Sequence, residues 1–94
     1  MGETDDFEWD DGKDAANRAK HGVELILAAA LFQDTGRLEF VSPSSTPEET
    51  RLVTIGQAFG LVWTCVYTWR GRRRRLISVR RAKRKERSAY QQGP

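Results

Sequence analysis

Ninety-four residues make one domain with a modest core, too small to enclose a large cofactor. One cysteine, Cys65, excludes an intramolecular disulfide and a cysteine-based zinc site, and one histidine, His21, excludes a two-histidine metal site. The net charge of +3 conceals a split: residues 70–94 hold 11 Lys/Arg against one acid, whereas residues 1–69 hold 5 against 12. That polarity points to a polyanionic partner, and it lets the acidic front shield the basic back within the chain or in a neighbour.

The chain has no apolar stretch long enough to cross a bilayer, and its acidic opening lacks the apolar core of a secretory leader. The expected location is the cytoplasm. Residues 1–8 read as a loose lead-in, with 1–6 expected to be disordered and Phe7 and Trp9 available as core anchors or a short strand. Asp10 or Asp11 can cap a helix that runs to about Lys20 and stops at Gly22, since glycine tolerates the left-handed turn at a helix end. On it Lys13, Asn17, Lys20 and His21 form one polar stripe, which leaves Trp9, Ala15, Ala16 and Ala19 as the expected packing side. A second helix is predicted over residues 24–32. Leu25, Ala28, Ala29 and Phe32 follow helical spacing, and Ile26, Leu27, Ala30 and Leu31 make its other sides apolar too, so it is either deeply packed or covered by a partner.

Asp34 to Gly36 is a turn, after which strands begin. The first spans 37–41 and ends in a Pro- and Ser-rich loop suited to an exposed, mobile connection. The second spans 50–57. Residues 58–60 turn the chain into a third, 61–69, rich in β-branched and aromatic residues. A tight turn at 70–72 leads to a fourth, 73–80. A short basic helix follows over 82–91, with 92–94 expected to be disordered. The fold class is α+β: two N-terminal helices, an antiparallel sheet of three to four strands with helices on one face, and a short C-terminal helix.

The strongest chemical signal is the run of 11 Lys/Arg in residues 70–87. Strand alternation sends Arg74, Leu76, Ser78 and Arg80 to one face and Arg73, Arg75, Ile77 and Val79 to the other, so either face presents arginines. Planar guanidinium groups grip phosphate with paired hydrogen bonds, and several in a row track a nucleic-acid backbone. Arg72, Arg73, Arg74, Arg75, Lys83, Arg84 and Lys85 are the candidate RNA-binding residues; the competing reading is a charged edge that prevents aggregation. His21 titrates near neutral pH and suits proton transfer, although a helix C-terminus also favours histidine for its charge. Glu49 and Arg51, just before a strand, pair a possible base with a phosphate ligand. Glu86 and Tyr90 share a face of the last helix. Trp63 and Trp69 share a strand face that reads as core rather than as base-stacking surface, and Cys65 as a small buried hydrophobe.

No nucleotide-binding loop, nucleophile elbow or Cys/His pair is present. Metal-free RNA cleavage survives this filter, because RNA carries its own nucleophile, the 2′-OH. The protein needs only to orient it, take a proton and neutralise the phosphorane.

The string W-D-x-x-K-x-x-x-N-x-x-K-H-G at residues 9–22 resembles the opening signature of BrnT toxins. Later pieces are similar to the same family: Glu49 and Arg51 followed by Thr54, Ile55 and Gly56; Ile77 to Ala82; and Lys85, Glu86, Arg87 and Tyr90. Val79 stands where the family usually has alanine. The resemblance covers about residues 7–91 and implies a RelE-like fold, RNA cleavage that halts translation, and a cognate BrnA-type antitoxin. That antitoxin would neutralise the toxin in a 2:2 complex and bind operator DNA. By matching position it implies functional roles for Lys20, His21, Arg51, Arg80, Arg81, Glu86 and Tyr90; the residues themselves call for no metal and no cofactor. In this scheme Arg51, Arg80 and Arg81 hold the scissile phosphate, His21 or Glu86 removes the 2′-OH proton, and Lys20 or Tyr90 assists. The alternative is a non-catalytic basic module that binds nucleic acid.

Overall fold

The computed structural model describes residues 1–93; Pro94, expected to be disordered, lies outside the described residues. In chain order the elements are β1 (Gly2–Glu3), β2 (Phe7–Trp9), α1 (Asp11–His21), a 3₁₀ turn (Leu25–Leu27), α2 (Ala28–Leu31), β3 (Leu38–Val41), β4 (Leu52–Ala58), β5 (Leu61–Arg70), β6 (Arg73–Arg81) and α3 (Arg84–Gln92). No described helix is long and apolar enough to cross a membrane.

The class is α+β, but the sheet is larger than expected and mixed. Six strands run in the order β1-β2-β6-β5-β4-β3, with β2 parallel to β6 and every other pair antiparallel. The two additional strands come from the supposed lead-in. Phe7, buried in the core, and Trp9 draw this segment onto the outer edge of β6, and residues 1–6 fold back so that β1 pairs with β2. Strands of two and three residues are too short for period-two alternation to reveal.

Asp10 caps α1 by accepting the Lys13 N–H at 2.9 Å, and Gly22 ends it at φ 77°. The expected packing side of α1 is inverted: Ala15, Ala16 and Ala19 are exposed, and Asn17 is the helix's buried residue. Its carboxamide bonds both backbone groups of Val79 and the carbonyl of Val23. β2 pairs with β6 only as far as Leu76, so Asn17 takes over as a one-residue surrogate strand. Hydrogen bonding to backbone therefore decides which side faces in.

The second helix is a 3₁₀ turn followed by one α turn. Leu25, Ala28 and Leu31 are fully buried at a spacing of three, the repeat of 3₁₀ geometry. The Leu25 N–H, orphaned at the turn's start, is accepted by Asp14 at 2.8 Å. This element lies over the sheet face that carries Phe7, Trp63, Cys65, Tyr67, Leu76 and Val79, and together they form the core. Gly56 permits that packing: a Cβ there would sit 3.2 Å from the Leu31 carbonyl oxygen. Gly56→Val is expected to lower the melting temperature by roughly 5–20 °C, from an overpacking cost of about 1–3 kcal/mol. A thermal melt followed by circular dichroism checks it, and an unchanged midpoint would disprove the close packing.

One irregularity reassigns the arginines. Val66 pairs with Ser78 but Tyr67 pairs with Leu76, which leaves Ile77 as an extra residue, a β-bulge. Strict alternation therefore fails across Ile77. Arg74, Leu76, Val79 and Arg81 register with the core-face residues Trp69, Tyr67, Cys65 and Trp63, while Arg73, Arg75, Ser78 and Arg80 register on the opposite face. The helices do not all share one face either: α3 is tied to this opposite face through Glu86 and Arg80.

Candidate functional site

Two adjoining depressions lie on the sheet face opposite α2. The first, between α1 and β6, is lined by Lys13, Ala16, Asn17, Lys20, His21, Ile77 and Ser78. The second is lined by Lys13, Glu49, Arg51, Thr68, Arg70, Arg75, Leu76 and Ile77. Lys13 and the bulged Ile77 belong to both, so the two form one shallow channel with cations along its length.

His21 closes α1, where its ring is partly exposed in the first depression. Desolvation, followed by the neighbouring cations Lys20 and Arg80, holds its pKa below the ordinary histidine value. It is therefore neutral at pH 7 and able to accept a proton. Lys20 is exposed beside it.

Arg80 is held in a fork by Glu86, with Nη1 to Oε1 at 2.7 Å and Nη2 to Oε2 at 2.9 Å. The Glu86 Oε1 also accepts the Lys83 N–H at 2.7 Å, as the third residue of a capping box that starts α3. The hydrogen bond from Arg80, outweighing desolvation, brings the Glu86 pKa down to about 2. A carboxylate so acidic is a poor proton acceptor at neutral pH; what it does here is aim a guanidinium. Arg81 registers on the other face of β6 and is exposed.

Glu49 bridges two arginines, Arg51 Nε at 2.8 Å and Arg70 Nη2 at 3.3 Å. The hydrogen bond from Arg51 is the main cause of its lowered pKa. The preceding loop is organised for this placement: the Ser45 hydroxyl accepts the Arg51 N–H at 2.8 Å and donates to the Arg51 carbonyl at 3.1 Å. Tyr90 lines neither depression. Its hydroxyl donates to Asp34 at 2.6 Å, and that bond raises its pKa.

The candidate RNA-binding residues divide. Arg73 pairs with Glu3 at 2.9 Å and Arg75 with Glu8 at 2.8 Å. The acidic front thus shields part of the basic back within the same chain. Arg74 faces the core, its guanidinium 4.0 Å from the Phe32 ring centroid, 4.6 Å from Trp69 and 5.3 Å from Tyr67. Arg72, Lys83, Arg84 and Lys85 are exposed, line neither depression and, among the described residues, have no carboxylate within 4.0 Å. Trp63 and Trp69 part company: Trp63 is 6% exposed and Trp69 48%. Cys65 is fully buried, and desolvation pushes its thiol up to about 12. No group of three or more His, Cys, Asp or Glu among the described residues is arranged to hold a metal ion.

By sequence Lys13 belongs to a polar stripe and Arg70 to a basic run, neither with a site role, and nothing marks Thr68 or Ser78 as functional. Lys13 was the findable one, because it shares a helix face with Lys20 and His21. Thr68 and Ser78 reach the channel only through strand register and the bulge.

Residues 9–86 match a family model described as ribonuclease toxin, BrnT, of type II toxin–antitoxin system. No curated protein sequence matches the chain.

Proposed function

The chain belongs to the BrnT family of ribonuclease toxins of type II toxin–antitoxin systems, and from that premise we propose a metal-independent endoribonuclease whose active site is the channel. The observation that carries this reading is that His21, kept neutral near Lys20 and Arg80, lines a depression adjoining one that holds the guanidinium groups of Arg51, Arg70 and Arg75. RNA threads the channel with its scissile phosphate between His21 and the arginines. His21 takes the proton from the 2′-OH, the 2′-oxygen attacks phosphorus, and the bond to the 5′-oxygen breaks. Lys20 protonates the departing 5′-oxygen, leaving a 2′,3′-cyclic phosphate and a 5′-OH. Arg80 and Arg51 neutralise the phosphorane. Glu86 serves as a positioning residue for Arg80, and Arg81 and Tyr90 fall outside the reacting set.

A labelled RNA incubated with the protein in chelator tests this. Cleavage is expected to persist and to yield cyclic phosphate ends. Arg80→Ala is expected to lower the rate by about 10²–10³-fold, and Glu86→Gln by less, since the guanidinium remains. Chelator-sensitive cleavage leaving 5′-phosphates would overturn the mechanism. A merely binding protein would show no turnover, and Arg80→Ala would weaken its affinity only a few-fold.

The family also implies an antitoxin partner. We extend that to neutralisation by a cognate antitoxin in a 2:2 complex that binds operator DNA, and to translational arrest in the cytoplasm as the outcome of cleavage. An acidic antitoxin segment would find its complement in the exposed cations Arg72, Lys83, Arg84 and Lys85.

A further inference from the structure

A third depression borders the second at its arginine end. It is lined by Glu48, Glu49, Thr50, Leu52, Thr68, Trp69 and Arg70, and it shares Glu49, Thr68 and Arg70 with the second. Thr68 belongs to the channel face, whereas Leu52 and Trp69 register on the α2 face, so this depression rounds the end of β5 and leads to an aromatic ring on the other face of the sheet. Trp69 is 48% exposed, yet it is held firmly. The Arg74 guanidinium lies 4.6 Å from its ring centroid, and the Tyr67 ring meets it edge-on at 5.8 Å with an interplanar angle of 87°. Arg74 is itself lodged against Phe32 and Tyr67.

A large apolar ring left half in water, where this depression rounds the end of β5, and braced from within, is poorly explained as core. The core tryptophan of the same strand, Trp63, is buried and donates its Nε1–H to the Ala58 carbonyl at 2.9 Å. The third depression also suits a phosphate less well than the second, because Glu48 and Glu49 face a single cation there, Arg70, whereas in the second Glu49 stands among Lys13, Arg51, Arg70 and Arg75. An unpaired nucleobase fits: neutral, flat, and able to stack on indole at little entropic cost because the ring is already fixed.

We propose that Trp69 is a nucleobase-stacking subsite that anchors one unpaired base of the RNA while its backbone turns round the end of β5 and lies along the arginines toward His21. The proposal rests on the RNA-cleaving reading and adds to it a preference for single-stranded substrate, held at one position by stacking.

The test uses an oligonucleotide with 2′-O-methyl at every residue, which cannot be cleaved. Its binding is followed by fluorescence anisotropy of an end label and by intrinsic tryptophan emission. Wild-type emission is expected to be quenched on binding. Trp69→Phe should bind with similar affinity but lose most of the quenching, and because it keeps an aromatic ring against Arg74 it guards against a folding artefact. Trp69→Ala, with its fold checked by circular dichroism, should bind roughly 5- to 100-fold more weakly. Equal quenching in wild type and Trp69→Phe, or equal affinity in wild type and Trp69→Ala, would overturn the subsite while leaving the ribonuclease assignment intact. Failure of the wild-type protein to bind the oligonucleotide at any concentration would overturn both.

Discussion

Replacing His21 with alanine is expected to slow RNA cleavage by about 10²–10⁴-fold while leaving the melting temperature nearly unchanged, since the ring is partly exposed and its loss opens no core cavity. The pH profile carries more information than the rate alone. A base must be deprotonated to act, so activity should climb as pH rises through the His21 pKa and level off above it. Desolvation, Lys20 and Arg80 all push that pKa down, which places the climb below the usual histidine value and the plateau at neutral pH. Arg80→Ala removes one of the cations, so its residual activity should climb at a higher pH than the wild type. The rival base in the channel is Glu49, whose lowered pKa would put the climb in the acidic carboxylate range. A His21→Ala protein retaining a third or more of its activity, with a profile unmoved by Arg80→Ala, would sink the histidine assignment and point to Glu49.

The class of fold was legible because the strands 52–58, 61–70 and 73–81 are long enough to impose their pattern. What escaped was set by single residues whose effects are tertiary. Ile77 looks like any strand residue, yet as a bulge it rotates everything after it, so Arg80 and not Val79 shares a face with Arg75. No periodicity rule announces a bulge without glycine. Asn17 belonged by spacing to a polar stripe, and a buried carboxamide bonded to a distant strand has no signature in local sequence. The arginine run points to a polyanion partner, but local sequence does not show which of its members are already engaged within the chain. Arg73 and Arg75 are met by Glu3 and Glu8, which lie about seventy positions earlier in the chain. Arg74 turns into an aromatic nest. The family resemblance named residues that the fold separates: His21, Lys20 and Arg51 line the two depressions, Arg81 and Tyr90 line neither, and Arg80 stands near His21 in its fork with Glu86.

The largest effect on stability is expected at Asn17. Its carboxamide matches a peptide group in donors and acceptors, which is why it can stand where a strand would. Nδ2 donates to the Val79 carbonyl at 2.9 Å and to the Val23 carbonyl at 2.9 Å, while Oδ1 accepts the Val79 N–H at 3.0 Å. Val79 is fully buried, so water cannot readily replace these bonds, and a buried unpaired backbone group costs about 1–3 kcal/mol. Asn17→Ala strands both groups of Val79 and is expected to cost about 2–4 kcal/mol, a large share of the roughly 5–15 kcal/mol that stabilises a domain. The melting temperature should fall by roughly 10–25 °C. Asn17→Asp should be no milder: it keeps an acceptor for the Val79 N–H but sets a carboxylate against two carbonyl oxygens. Amide hydrogen exchange gives a local reading that the melt does not. In Asn17→Ala the Val79 amide should lose protection well beyond its neighbours in β5, which keep their strand partners. If the midpoint moved by less than about 3 °C and Val79 stayed protected, α1 would have to be held by something other than this carboxamide. The placement of Lys13, Lys20 and His21 over β6 would then need a different explanation. With the predicted outcome, one buried amide accounts for both the docking of α1 and the presence of His21 at the channel.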